Sequence, residues 1–431
     1  MKKIIMIVIM LSVLNYNSIV YGESSNLAQE DINGEAAILI DGKTGDILFE
    51  KNMNKKMYPA STTKMLTGIL AIEQGNMDKL VTVDDDTPYE IYGTHIALEP
   101  GEQLRFKELL NATLIESAND AAVVIAKDMA GDVESFAKMM NKKAKEIGAL
   151  NSNFVNPSGL HDDNHFSTAY DLAMIAKYGI QNDQFRNIVK NYKYTIEPTN
   201  IKTEKRVMYS ANKLLYSTKK INVDGQNTEI KYDGAIGVKT GYTEQAGNSV
   251  VSAVEKDGRL LISVVLKSAG NNLWIDTHKL LNYGLNNFDK KLLGFKNEFV
   301  ENIKIENGNK KYVTGVIGEN VTTPIKNSIE GKISKKININ NNIKAPIEKG
   351  QVLGNVEYII NDKTIKTANI VSAESINLVG SYTNVADISL FKSINIWWII
   401  GTVLLLLFWR INVLRRRAKK RRRYRSKSYN M

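Results

Sequence analysis

Two pairs of strand-forming runs, far apart in the chain, enclose a helical middle. Residues 35–41 (Glu-Ala-Ala-Ile-Leu-Ile-Asp) and 46–51 (Asp-Ile-Leu-Phe-Glu-Lys) flank a Gly42-Lys-Thr-Gly45 turn. Residues 250–255 and 260–266 form the second pair, joined by Lys256-Asp-Gly-Arg259, a hairpin signal. Between them, apolar residues recur at helical spacing around Ser61, near 106–114, from 118 to 129, over 132–147 and over 169–178. A single antiparallel sheet with helices on its faces satisfies that order, so 31–287 reads as an α+β domain.

Residues 288–390 change character. Short strands appear at 300–305, 311–316 and 352–359, separated by Asn and Gly clusters, and no grouped acids, histidines or glycine loops accompany them. An all-β module, a small sandwich, is expected there, either as a spacer or to bind a partner. An apolar run at 394–409 follows, with Trp397 and Trp398 at one edge and Trp409 near the other. Flanking apolar residues extend it towards the roughly 20 residues that span a bilayer, and the tryptophans match an interfacial belt. The expected layout is a transmembrane anchor at 391–414 and a basic cytoplasmic tail at 415–431.

The opposite end carries an export signal. Lys2 and Lys3 precede an apolar run from 4 to 14, and Val20-Tyr21-Gly22 offers a small-residue exit, so 1–22 reads as a signal peptide. The expected location is the outer face of the cell membrane, in a single pass. The chain has no cysteine, which excludes disulfides and thiol catalysis. Its net charge of +11 resides in the tail: residues 410–431 hold eleven Lys and Arg and no acid, leaving 1–409 formally neutral. A general nucleic-acid surface is therefore rejected.

The chemistry centres on Tyr58-Pro-Ala-Ser-Thr-Thr-Lys-Met-Leu66. Pro59 is at home at a helix start, which places Ser61 and Lys64 one turn apart on the same side. A serine hydroxyl needs a base to take its proton. A lysine becomes one when burial or a neighbouring cation lowers its pKa. Ser-x-x-Lys alone has no specificity, since it recurs at Ser135/Lys138, Ser210/Lys213, Ser217/Lys220 and Ser389/Lys392. Two later clusters complete the idea. Ser117-Ala-Asn119 offers a hydroxyl to relay a proton and an amide with both donor and acceptor, although Ser, Asn and Asp120 also suit a capped helix start. Lys239-Thr240-Gly241 presents a cation and a hydroxyl from a strand edge, with Gly241 permitting close approach of substrate. A second copy, Lys43-Thr44-Gly45, reads as turn chemistry only. His161 and His165 lack further ligands nearby, so no metal site or other cofactor is expected.

Ser61/Lys64, Ser117/Asn119 and Lys239/Thr240/Gly241, in that order, are the motifs of penicillin-binding proteins and serine β-lactamases. The chain resembles a low-molecular-mass penicillin-binding protein, of the serine D-alanyl-D-alanine carboxypeptidase family. Residues 156–160 (Asn-Pro-Ser-Gly-Leu), 165–168 (His-Phe-Ser-Thr) and 239–243 match as well. The resemblance implies a DD-peptidase-like sheet flanked by helices, a C-terminal β domain, and stem peptides ending in D-Ala-D-Ala as substrate, with β-lactams as inhibitors. It also implies roles: Ser61 as nucleophile, Lys64 as base and Ser117 as proton relay. Lys239 and Thr240 would hold the terminal carboxylate and Asn119 the peptide amide, with the N–H groups of Ser61 and Tyr242 as the oxyanion hole. No Glu-x-x-Leu-Asn stretch lies between the second and third motifs, which favours peptidase over β-lactamase. DD-endopeptidase or β-lactamase activity, and a catalytically idle wall-binding scaffold, are the alternatives.

Overall fold

The computed structural model describes residues 26–379 and 396–427. The expected signal peptide lies outside the described residues, as do 391–395 of the expected anchor and the last residues of the tail. The described chain divides into two compact units. One holds 26–295 with 320–335 and 358–366; the other holds 296–319, 336–357, 367–379 and 396–427.

The first unit is built on an antiparallel sheet of β1 (Ala36–Asp41), β2 (Ile47–Lys51), β9 (Ala235–Thr243), β10 (Gly247–Lys256) and β11 (Arg259–Ser268), in the order β2-β1-β11-β10-β9. The two distant strand pairs meet where β1 aligns with β11, from Ala36 opposite Leu266 to Asp41 opposite Leu261. All six β1 residues are buried. Successive side chains point to opposite faces, and both faces are covered. Ala36, Ile38 and Ile40 join one apolar core, while Ala37 and Leu39 join another.

The helical middle supplies the first core. It comprises α1 (Lys64–Gln74), α2 (Phe106–Asn111), α3 (Asn119–Ala130), α4 (Val133–Ile147), α5 (Ala169–Ile180) and α6 (Asp183–Val189). α7 (Asn272–Asn287) covers the other face with Leu273, Trp274, Leu280 and Leu281. Two-stranded hairpins fill the connections: β3 (Leu80–Thr82) with β4 (Gln103–Arg105), β5 (Lys193–Ile196) with β6 (Arg206–Tyr209), and β7 (Lys220–Val223) with β8 (Gln226–Glu229). None of these hairpins, nor α6 and α7, is evident in the sequence patterns. The helix-on-sheet expectation is met.

Beyond α7, β12 (Phe288–Gly294) pairs with β15 (Val321–Lys326). A five-stranded sheet is formed by β13 (Phe299–Lys304), β14 (Tyr312–Ile317), β16 (Ser334–Ile339), β17 (Val352–Ile360) and β18 (Lys363–Ser372), in the order β13-β14-β18-β17-β16. The region is all-β, as its Asn- and Gly-punctuated runs indicate. The C-terminal helix, α8 (Ile396–Lys427), forms where the anchor was expected. The expected transmembrane span is not shown: among the described residues no helix is long and apolar enough to cross a membrane. The apolar run meets Arg410, and Arg415, Arg416 and Arg417 follow within the same helix.

Candidate active site

Ser61 sits on a tight turn rather than on a regular helix. Ala60–Thr63 form a 3-10 turn that runs straight into α1, with Pro59 just ahead of it. Ala60 has φ +48°, a left-handed backbone that costs a residue bearing a Cβ about 1–2 kcal/mol and persists where surroundings enforce it. Two glycines do so. A Cβ on Gly159 would lie 1.8 Å from the Ala60 carbonyl oxygen, and one on Gly241 would lie 2.9 Å from the Pro59 oxygen and 3.0 Å from the Ser61 nitrogen. Gly241 was expected to admit substrate; its closest neighbour is instead the nucleophile's own turn.

Lys64 is buried, and its Nζ donates to Ser61 Oγ at 3.0 Å, to Asn119 Oδ1 at 2.6 Å and to the Ser158 carbonyl at 2.6 Å. Burial, and then the like charge of Lys239, hold its pKa well below the usual lysine value, against the opposing pull of Asp120. The partners decide what deprotonation does. An amide oxygen and a backbone carbonyl only accept, so a neutral amine keeps its two protons on them. Its lone pair then faces Ser61, the one partner with a proton to give. The geometry is that of a serine with a lysine base.

Asn119 opens α3, with one side-chain end engaged by Lys64. Its Nδ2 donates to the Tyr92 carbonyl at 2.7 Å. The amide expected to hold the substrate's peptide amide therefore also braces the base, leaving one N–H over. Asp120 behind it accepts from the Ile96 and Leu98 N–H groups, both at 3.1 Å, and so pins the segment that carries Tyr92. Asp120 thus has a packing role. The α2 helix ends in a π-helical turn, Ala112–Glu116, which leaves Ser117 left-handed at φ +74°. The side chains of Ser117 and Asn119 cap nothing at the α3 start, where Ala118 is the cap residue.

Lys239, Thr240, Gly241 and Tyr242 lie on β9, the edge strand of the sheet. Lys239 is only 2% exposed, and its Nζ donates to the Thr240 carbonyl at 3.1 Å. Burial lowers its pKa to about 7, with Glu116 acting in the opposite direction. Ser61, Ser117, Thr240, Gly241, Tyr242 and Glu116 share one cleft of about 610 Å³. All eight residues expected at the site are thus in or directly behind a single cleft.

Other participants were not foreseen. The Ser158 carbonyl and the Tyr92 carbonyl are backbone groups with no side-chain signature, though Ser158 belongs to the noted 156–160 stretch. Glu116 precedes Ser117 and has no motif of its own. His165, noted above for lacking metal ligands, has a specific role. Its Nδ1 accepts from the Val155 N–H at 3.2 Å, so Nε2 carries the proton and donates to Thr63 Oγ1 at 2.9 Å. Burial holds its pKa down to about 4, and the neutral ring steadies the residue next to Lys64. Among the described residues no group of three or more His, Asp or Glu could hold a metal ion.

Residues 23–270 match the family described as D-alanyl-D-alanine carboxypeptidase, peptidase family S11. The chain belongs to this family. Family membership makes it a serine-type D-alanyl-D-alanine carboxypeptidase. Residues 288–377 match a second family, the C-terminal domain of penicillin-binding protein 5. The D-alanyl-D-alanine carboxypeptidase DacF of Bacillus subtilis is 31% identical over 84% of this chain and 89% of its own length. DacA of Haemophilus influenzae is 30% identical over 83% and 88%. Among solved structures, penicillin binding protein 5 from Haemophilus influenzae superimposes with a TM-score of 0.70 at 26% identity, over 82% of this chain and 99% of that one.

Proposed function

We propose that this carboxypeptidase removes the terminal D-alanine of peptidoglycan stem peptides through an acyl-enzyme on Ser61. The carrying observation is the buried Lys64 amine 3.0 Å from Ser61 Oγ, with its other two contacts able only to accept. Ser61 attacks the carbonyl of the penultimate D-alanine as its proton passes to Lys64. The Ser61 and Tyr242 N–H groups face the developing oxyanion, a term worth about 3–4 kcal/mol per donor in other acyl-transfer enzymes. The Gly241 contact with the Ser61 turn supports that pairing. Ser117 relays the proton to the departing D-alanine. Lys239 and Thr240 take the terminal carboxylate, and the remaining N–H of Asn119 takes the peptide carbonyl. Water then releases the acyl group. A β-lactam acylates Ser61 by the same route.

The test uses a diacetylated Lys-D-Ala-D-Ala peptide and a fluorescent penicillin, with Ser61→Ala as control. D-alanine release and labelling by the wild type alone are expected. Labelling without release would redirect the reading to a cross-linked peptide. The absence of both signals from folded protein would overturn it.

In this reading the enzyme works outside the cell. The basic residues and apolar run at 2–14 support export, and the run at 394–409 followed by basic residues supports attachment to the membrane. Residues 396–409 of α8 rise roughly 21 Å at about 1.5 Å per residue, short of a hydrocarbon core of roughly 30 Å. A full span therefore draws on the apolar residues on either side. Retention in carbonate-washed membranes, lost on truncation after residue 390, is the expected outcome; retention of the truncated chain would refute attachment through this helix.

A further inference from the structure

Next to the catalytic cleft stands a pair of exposed aromatic rings that the hydrolytic chemistry does not use. Tyr192 is 52% and Tyr216 39% exposed, with ring centroids 6.0 Å apart and planes tilted by 36°. Every other ring pair among the described residues meets edge to face, at 74° to 89°. Neither phenol hydroxyl has a hydrogen-bond partner among the described residues, so the pair presents ring faces and free hydroxyls together.

Backbone hydrogen bonds fix the pair to the cleft wall. The Ser210 N–H donates to the Tyr192 carbonyl at 2.9 Å, and the residues flanking Ser210, Tyr209 and Ala211, line the cleft. The Tyr216 N–H donates to the carbonyl of Lys213, another cleft residue, at 3.3 Å. The support is rigid. Arg206 of β6 forks onto the buried Glu102 with two contacts of 2.8 Å, and the Tyr209 N–H donates to Glu116 at 2.8 Å. The turn carrying Lys213 is capped by Asn212, whose Oδ1 accepts from the Leu214 N–H at 3.1 Å. Rings held in place in advance lose little freedom on binding.

We propose that Tyr192 and Tyr216 form a platform that binds the glycan strand to which the stem peptide is attached. A pyranose offers a C–H face to an aromatic ring and hydroxyls at its rim, and tyrosine matches both with its apolar body and polar edge. Lys213, which lines the cleft beside the turn carrying Tyr216, adds a donor for hydroxyl and N-acetyl oxygens. The inference rests on the stem-peptide reading of the cleft, since a peptide seated there carries its glycan with it along the wall. Such a platform would make the enzyme favour a glycan-borne stem peptide over the free peptide.

The full chain is assayed on a free pentapeptide and on the same pentapeptide carried by an N-acetylated disaccharide. The wild type is expected to show kcat/KM about five- to tenfold higher on the disaccharide substrate, the scale of one aromatic contact. Tyr192→Ala/Tyr216→Ala removes that preference and leaves the free-peptide rate unchanged. Tyr192→Phe/Tyr216→Phe keeps most of it. Co-sedimentation with peptide-free glycan strands gives a second readout, with binding by the wild type that the alanine pair loses. An unaltered preference in the alanine pair, no preference in the wild type, or sedimentation abolished by moderate salt, which would mark a polyanion site, overturns the proposal. If the alanine pair loses penicillin labelling through misfolding, single Tyr192→Ser and Tyr216→Ser variants decide, each lowering the preference or overturning the idea. Failure of free-peptide hydrolysis in the wild type would instead count against the carboxypeptidase reading, with sedimentation still reporting on the platform.

Discussion

The tripeptide Lys-Thr-Gly occurs twice in this chain, and the two copies have nothing in common but their side chains. Lys43-Thr44-Gly45 lies in the turn between β1 and β2. Its lysine is 47% exposed, donates to the Gly258 carbonyl at 3.2 Å and stands 4.0 Å from Glu255. The Thr44 hydroxyl accepts from the Asp46 N–H, and Gly45 supplies the turn with φ +84°. Lys239-Thr240-Gly241 runs along an edge strand with its lysine buried, its pKa lowered and its glycine pressed against the nucleophile. In the first copy the polar atoms satisfy a turn. In the second they are withheld from water and aimed at a cleft. A charge taken out of water interacts far more strongly with what comes to meet it, so context rather than residue type makes one copy a binding element.

The sharpest test of that contrast removes each lysine in turn. Lys239→Ala is expected to lower kcat/KM on a D-Ala-D-Ala peptide about 10²- to 10³-fold, the scale for losing one partner of a desolvated charge pair. Lys43→Ala should stay within about twofold of wild type. D-alanine release measures both, and equal losses would erase the distinction.

The glycines come next. Gly241→Ala pushes a methyl group against Pro59 and Ser61, so fluorescent penicillin should acylate Ser61 about tenfold more slowly. Gly45→Ala places a Cβ at positive φ, which costs about 1 kcal/mol and lowers Tm by a few degrees. Its labelling rate should be unchanged. A slow Gly45→Ala variant would mean that the turn reaches the site.

The third test uses pH. Lys239 binds a proton more weakly folded than unfolded, so between about 7 and the ordinary lysine value the unfolded chain holds more protons. Stability therefore rises with pH across that window, because burying the charged form is unfavourable below it. Tm measured from pH 7 to 10 should climb more steeply in the wild type than in Lys239→Met. The attraction for the substrate carboxylate runs the other way, and KM should increase above about pH 7. Lys43→Met should follow the wild-type curves. The smallest effect belongs to the exposed pair of Lys43 and Glu255: Glu255→Gln disturbs this contact by about 0–1 kcal/mol. Glu255 also pairs with Arg186, so a double-mutant cycle with Lys43→Met isolates the weaker contact.

Much of this arrangement was readable in advance. The strand pairs at 35–51 and 250–266 announced the sheet because both faces of β1 are buried and its run is apolar from Ala36 to Ile40. Ser61, Lys64, Ser117, Asn119 and Lys239 were recognisable as an ordered set. What escaped was what side-chain patterns do not encode. The Ser158 and Tyr92 carbonyls are backbone acceptors, and their positions depend on distant contacts. Gly241 was assigned to substrate because its nearest neighbour, the Ser61 turn, is close only in space. Asn119 points to the substrate's peptide amide in the sequence, since nothing local shows that it bridges Lys64 to Tyr92. The short hairpins were missed because β5 and β6 are four residues each, too few to establish an alternation.

Gly159 and Gly241 hold the Ala60 turn from two sides, and the three come from widely separated parts of the chain. The nucleophile therefore cannot take its shape from local folding. It becomes reactive only after the edge strand and the 156–160 segment have both docked, contacts of long sequence separation that form late and slowly. Penicillin labelling thus doubles as a clock for maturation: followed during refolding, it should lag behind the return of helical signal, and it would count only those molecules that have finished.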